Sequence, residues 1–337
     1  MRIGIIGGGS IGLLIGAKLA ESGTDVTVWT RTENQSENIT KKGIRLLAEH
    51  GSEKVVKAAG EWLSEERLRT AEKAGVRSCE WYILALKQTD LSEEVVGRII
   101  RLIRLTPGAP ALVCMQNGTG HLEKLAEAAA GGFDLYNAVT TVGAKREDER
   151  SVRHTGHGLI HIGSRAENSI DAGSDASPER VPDMADQTSN RQKMLLESLI
   201  RAGFDASLSN DIHNRVFQKL LMNAIINPLT AIFDIRNGEL PSHPRGYPLM
   251  KALHLETEAI LRAAGMDEWQ DSWEGVLGVC QRTSQNVSSM LADVRAGRRT
   301  EIGSINGEIV RLATAHGLQA PLNESVLRLV EAFGSGQ

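Results

Sequence analysis

The chain has 337 residues, which suggests about two domains at roughly 150 residues each. Hydrophobic residues make up 41% and charged residues 24%, which excludes a disordered chain. The net charge of −4 provides no global basic field, so neither nucleic acid nor an anionic membrane is an expected partner.

Along the chain, Arg2 and the apolar run Ile3–Ala17 superficially resemble a signal peptide, but the run is interrupted by glycines and is shorter than the ~18–20 residues of a span. It reads better as a strand over Ile3–Ile6, a tight turn, and a helix over Leu13–Ser22 that stops at Gly23. The turn, Gly7-Gly8-Gly9-Ser10-Ile11-Gly12, is a G-x-G-x-x-G placed between a strand and a helix, which predicts a dinucleotide site. Gly7 permits the tight turn, Gly9 lets backbone approach a pyrophosphate, and Gly12 lets helix and strand pack closely, with Ser10 and Ile11 opening the helix N-terminus. A second strand, Asp25–Trp29, ends in Thr30-Arg31 with no acid before Glu33. An acid there would hold a ribose 2′-hydroxyl, whereas an arginine suits a 2′-phosphate, so NADP(H) is expected over NAD.

Trp81–Leu86 and Ala111–Met115 are further short apolar runs, and Leu159–Ile162 and Asp205–Leu208 would add edge strands. Continuous apolar runs separated by helices indicate a parallel sheet covered on both faces. Lys87 and Asn117 directly follow two of these strands, the end at which open α/β sheets bind ligands; ordinary turn chemistry is the alternative for each. Residues 166–190 are polar, with two prolines, and read as a surface excursion or mobile loop. Cys79, Cys114 and Cys280 are far apart and form no C-x-x-C pair, so neither a disulfide framework nor a metal site is expected, and a reducing cytoplasm is.

After Asn210 the apolar period becomes helical, with segments at 211–234, 248–264, 273–296, 300–316 and 322–333. The expected fold is α/β: an N-terminal Rossmann-type dinucleotide-binding domain, 1–208, followed by an all-helical domain, 209–337. In the first of these helices Lys219, Asn223 and Asn227 recur at i, i+4 and i+8, one polar face on a helix that is otherwise apolar nearly all round. A lysine and two amides there are costly unless they line a polar cavity, and a desolvated lysine has its pKa lowered toward the range of a general acid. The plainer reading, a snorkelling lysine and capping asparagines, stands beside it. Pro228 is expected to bend or end this helix. Asn286 and Ser289 lie one helical turn apart in a second such place, and Glu301 follows at a helix start.

The opening IGIIGGGSIG, Lys87 after its strand, NGTG at 117–120, HTGHGLIHIG at 154–163, RVFQKLLMNAIINPLTAIFDIRNGEL at 215–240 and NVSSMLADVRAGRRTEIGSING at 286–307 together resemble the ketopantoate reductase (2-dehydropantoate 2-reductase) family over nearly the whole chain. The resemblance implies NADPH-dependent reduction of 2-dehydropantoate to (R)-pantoate, a step toward pantothenate and coenzyme A. It makes Lys219 the acid, and gives Asn223, Asn227, Asn237, Asn286 and Ser289 to the substrate's carboxylate and hydroxyls. Arg31 would meet the 2′-phosphate, while Lys87, Asn117, Ala144 and Glu301 would line the nicotinamide side, with Asn117 also near substrate. The implied partner is a small 2-oxo acid, with monomer and homodimer both open. Two other readings remain: a reductase of another branched 2-oxo acid, and a non-catalytic NADP(H)-sensing protein.

Overall fold

The structure, a computed structural model, describes every residue except 49–50, 109, 119–124, 126–131, 165–181 and 335–337, with backbone alone over 182–189. The chain divides into two compact units. The first comprises Met1–Leu86, Asp90–Gln116 and Leu122–Ile212; the second comprises Lys87–Thr89, Asn117–His121 and His213–Gln337. No single boundary along the chain separates them, because two short pieces that follow strands of the first unit pack with the second.

In the first unit, strands β1 (Arg2–Ile6), β2 (Asp25–Thr30), β5 (Ala59–Trp62), β6 (Trp81–Leu84), β7 (Ala111–Cys114), β8 (Leu135–Thr140), β11 (Leu159–Ser164) and β12 (Asp205–Leu208) form one sheet in the order β12-β11-β8-β7-β6-β1-β2-β5. Every pairing in it is parallel except β11 with β8. Side chains of β6 alternate between two cores: Trp81 and Ile83 join one, Tyr82 and Leu84 the other. Both faces are therefore covered, which is why these strands read as continuous apolar runs. Asp205–Leu208 is an edge strand as expected; Leu159–Ser164, also expected at an edge, lies inside between β12 and β8.

A second sheet was not legible in the sequence. Strands β3 (Ile44–Leu47), β4 (Glu53–Val56), β9 (Gly143–Arg146) and β10 (Ser151–Gly156) pair in the order β4-β3-β10-β9. Helix α1 (Ser10–Glu21) packs against strands of both sheets, so Leu13, Leu14, Ile15, Ala17 and Leu19 are all buried. Among the described residues, the remaining helices of this unit are α2 (Glu33–Lys42), α3 (Glu65–Ala74), α4 (Glu93–Leu105) and α5 (Pro182–Arg201). The excursion expected over 166–190 lies outside the described residues up to 181, and from Pro182 onward the chain is helical rather than a loop.

The second unit has helices and no strand among its described residues after 212. Its helices are α6 (Ile212–Phe233), α7 (Gly246–Ala263), α8 (Ser272–Arg282), α9 (Ser289–Arg295), α10 (Ile302–Ala315) and α11 (Pro321–Gly334). Leu220, Leu221, Ala224, Ile225 and Leu229 of α6 share one core with Leu253 and Ile260 of α7, Ile305 and Ile309 of α10, and Val326 and Val330 of α11. Two expectations need correction. The helix does not end at Asn227-Pro228 but runs through Pro228 to Phe233, the extent its apolar period over 211–234 predicts. The helix expected over 273–296 is two, α8 and α9, so Asn286 sits in the non-helical link before α9 and is not one helical turn from Ser289.

Candidate active site

The glycine turn follows β1, the strand at which the main sheet's order reverses: β2 lies on one side and β6 on the other. Gly7 has φ +117°, a backbone favoured by glycine. A Cβ on Gly12 would lie 1.9 Å from the Gly7 carbonyl oxygen, whereas one on Gly9 would meet nothing nearer than 3.9 Å. Gly12 is thus required for packing, and the face at Gly9 is open. Helices α2, α3 and α4 begin with Thr32, Ser64 and Ser92, whose hydroxyls accept the N–H of Gln35, Arg67 and Val95. By contrast α1 begins after Gly9 with no side-chain cap, so Ser10 and Ile11 open a helix end whose N–H groups are left for an anion. Gln35 Nε2 donates to the Gly8 carbonyl at 2.8 Å, and Arg146 of β9 reaches the same oxygen at 3.4 Å. These features fit a dinucleotide pyrophosphate. Arg31 is exposed at the end of β2, with its guanidinium 3.3 Å from Asp90. Ala144 lies in β9 opposite His154.

The polar stripe of the second unit is the second part. Lys219 and Asn223 are half-buried and Asn227 is buried. Burial lowers the Lys219 pKa to about 8, and the negative charge of Glu301 works against that lowering. Glu301 is itself buried at the start of α10. It caps no N–H of its own helix; instead its carboxylate accepts the Asn117 side-chain amide at 3.1 Å and the Gln88 backbone N–H at 3.4 Å. Asn117 Oδ1 in turn accepts from Asn223 Nδ2 at 3.5 Å, and the Asn117 carbonyl accepts from the Gln88 side chain. Turn chemistry and site chemistry coincide here. Gly118 has φ +77°, and a Cβ on it would lie 2.3 Å from the Ser304 carbonyl of α10, so Asn-Gly is the pair that brings the Asn117 amide to Glu301.

Asn223, Asn117 and Glu301 are therefore brought into one hydrogen-bonded network, and the charge of Glu301 acts on Lys219. Lys87 joins the same unit, but its ammonium lies 2.6 Å from the buried carboxylate of Asp293, which also takes Arg298 at 3.0 Å. Asn237 and Asn286 form a separate group. The Asn237 N–H donates to the Asn286 carbonyl at 3.1 Å and its side-chain amide to Thr283 at 2.9 Å, while its buried Oδ1 has no partner. Asn286 and Ser289 are exposed, and the capping hydroxyl of α9 is that of Ser288, which accepts the Leu291 N–H.

Residues 3–167 match the family model described as ketopantoate reductase PanE/ApbA, and residues 211–334 match the model of that family's C-terminal domain. The chain is also 32% identical over 321 residues to the 2-dehydropantoate 2-reductase of Bacillus subtilis, covering 95% of this chain and 93% of that one. The chain belongs to the ketopantoate reductase family. The archaeal 2-dehydropantoate 2-reductase of Archaeoglobus fulgidus is 29% identical over 335 residues, 99% of this chain and 98% of its own. Among solved structures, the probable ketopantoate reductase of B. subtilis aligns with a TM-score of 0.76 at 30% identity, covering 99% of this chain and all of that one. A D-mandelate dehydrogenase solved with NADH and anilino(oxo)acetate aligns at 0.81 over 99% of this chain and 98% of that one, but at 23% identity, a likeness of fold.

In this chain, sequence reasoning missed Gln88, Asp293, Arg146 and Asn306. Gln88 and Asp293 leave no local pattern, since each acts through a partner more than 25 residues away. Asn306 did leave a signal: it stands in the apolar stripe Ile302, Ile305, Ile309, Leu312 of α10. Helix α6 is the one described helix long and apolar enough to cross a membrane, and 56% of that window is buried inside the protein.

Proposed function

We propose that this oxidoreductase reduces 2-dehydropantoate to (R)-pantoate with NADPH, with Lys219 supplying the proton. The observation that carries the reading is a lysine in an apolar helix whose pKa is lowered to about 8 while a buried carboxylate, Glu301, favours its charged form. When bound, the dinucleotide supplies the hydride. As hydride adds to the carbonyl carbon, charge grows on the oxygen, and the Lys219 ammonium offsets that charge and then donates a proton to it. Burial makes the ammonium a stronger acid, and Glu301 keeps it protonated near neutral pH. Asn223, held by Asn117, and Asn227 offer amides along the same helix face. The unpartnered Oδ1 of Asn237 is an acceptor suited to a substrate hydroxyl, with Asn286 and Ser289 on the substrate's polar groups. On the cofactor side, the Gly7-Gly8-Gly9-Ser10-Ile11-Gly12 turn takes the pyrophosphate and Arg31 the 2′-phosphate, for which it would leave Asp90. Lys87, Asn117, Ala144 and Glu301 serve the nicotinamide side. Three buried cysteines that form no disulfide and the net charge of −4 suit a soluble cytoplasmic enzyme of pantothenate synthesis, acting as monomer or homodimer without nucleic acid or membrane partners.

Replacing Lys219 by alanine is expected to cut turnover ~10²-fold or more while NADPH binding stays intact, as loss of a general acid does. Steady-state rates and a fluorescence titration with NADPH check this. Near-normal turnover in Lys219→Ala would remove Lys219 from the chemistry.

A further inference from the structure

Helix α6 carries a proline in its interior, and that proline has a consequence in the core. An α-helix bonds each N–H to the carbonyl four residues back, so Pro228, having no N–H, leaves the Ala224 carbonyl without its intrahelical donor. Ala224 is fully buried, and a buried carbonyl left unpaired is destabilising by roughly the desolvation cost of the group, about 1–3 kcal/mol. The missing bond comes from another helix. Asn306 of α10, also fully buried, donates its side-chain amide to the Ala224 carbonyl at 2.9 Å.

The second N–H of that amide goes to Asn323 Oδ1 at 2.9 Å. Asn323, in α11, donates to Glu256 at 2.9 Å and to Thr257 at 3.1 Å, both in α7. Glu256 also accepts the backbone N–H groups of Leu322 and Asn323 at 3.0 and 2.8 Å. One buried polar chain thus joins α6, α10, α11 and α7 at the carbonyl next to Asn223. Helices α6 and α10 are linked again at the polar stripe, where Glu301 at the start of α10 accepts from Asn117 and Asn117 accepts from Asn223. Farther along α6, the Thr230 hydroxyl is bonded to the Ile226 carbonyl at 2.7 Å and to Ser288 at 2.8 Å, securing the helix beyond the proline.

We propose that Asn306 is a positioning residue: by supplying to Ala224 the hydrogen bond that Pro228 withholds, it fixes the axial register of Lys219, Asn223 and Asn227 against Glu301. Pro228 and Asn306 form a matched pair, in which a carbonyl left without a donor in its own helix becomes the attachment point for the helix that carries the carboxylate. The role in turnover rests on the function proposed above; the role in setting the surroundings of Lys219 does not.

The test uses the full-length protein, Asn306→Leu, Pro228→Ala and the double variant. Leucine removes the donor, and alanine at 228 restores a backbone N–H to the Ala224 carbonyl. Two readings are taken: the titration of the Lys219 side chain by NMR of ¹⁵N-lysine-labelled protein, assigned by its loss in Lys219→Arg, and kcat for 2-oxo acid reduction. Asn306→Leu is expected to move the Lys219 titration by about half a unit or more and to lower kcat about tenfold, as a small misplacement of a catalytic group does. Pro228→Ala alone is expected near wild type, and Pro228→Ala with Asn306→Leu to recover both readings. A generic loss of stability would lower the melting temperature without moving the titration, and a defect that Pro228→Ala fails to rescue would show that Asn306 does not act through Ala224; either overturns the proposal. Should Asn306→Leu alone not fold, the double variant is still expected to, and failure of both would also overturn it. A protein that reduces no 2-oxo acid but shows the titration shift and its rescue would count against the proposed function and leave the Asn306 role standing.

Discussion

Lys219 has two influences on its proton, and they act in opposite directions. Burial favours the neutral amine and Glu301 favours the ammonium, and burial dominates, so the pKa falls from the ordinary 10.5 to about 8. In the role proposed for Lys219 the acid form is the working form, so turnover is expected to fall as pH rises through about 8. Glu301→Gln removes the carboxylate that retains the proton and is expected to move that falling limb to lower pH. A pH profile of kcat for the two proteins checks both statements, and a limb unmoved by Glu301→Gln would separate Glu301 from the acid. Stability follows from the same shift. The unfolded chain binds the proton more tightly than the folded one, so this residue's contribution to stability rises with pH between about 8 and 10.5, and below about 8 the charged lysine is a net cost. The i, i+4, i+8 spacing made the polar stripe legible, but Gln88 and Asp293 were not, because each meets its partner only after folding.

At the scale of elements, the strand–turn–helix at the N-terminus is the part that local rules dictate most completely. Gly7 supplies a positive φ, and Gly12 allows α1 to sit against the Gly7 carbonyl. Gly12→Ala places a methyl 1.9 Å from that oxygen, and a backbone atom cannot rotate away as a side chain could, so the turn must shift. Loss of dinucleotide binding is the expected outcome, read by titration calorimetry with NADPH, and normal affinity would contradict the tight-packing role. The second sheet escaped reading because β4 is largely exposed and β9, Gly143–Arg146, is short and polar, so neither shows a strong period. The extent of α6 was legible from its apolar period over 211–234, but what carries it through Pro228 was not, because the proline rule is local. The hydrogen bond that makes Pro228 tolerable comes from Asn306, 78 residues later, and Thr230 and Ser288 add to it.

At the scale of the whole molecule, the two units divide the chemistry by type. The first presents backbone N–H groups and arginines, which suit phosphate; the second presents a lysine, amides and a carboxylate, which suit a hydroxylated 2-oxo acid. Burial pushes the Cys79 and Cys280 thiols up to about 11, so they stay protonated and unreactive at neutral pH. Family and reaction class were readable from long motifs in both units, whereas the substrate's identity depends on pocket shape, which no spacing encodes. The most direct test is the loss of absorbance at 340 nm with NADPH or NADH and a panel of 2-oxo acids that includes 2-dehydropantoate. The account predicts rapid oxidation of NADPH with 2-dehydropantoate, slower oxidation with its relatives, and little with NADH. Equal rates with NADH would contradict the role of Arg31, and faster turnover of another 2-oxo acid would contradict the substrate.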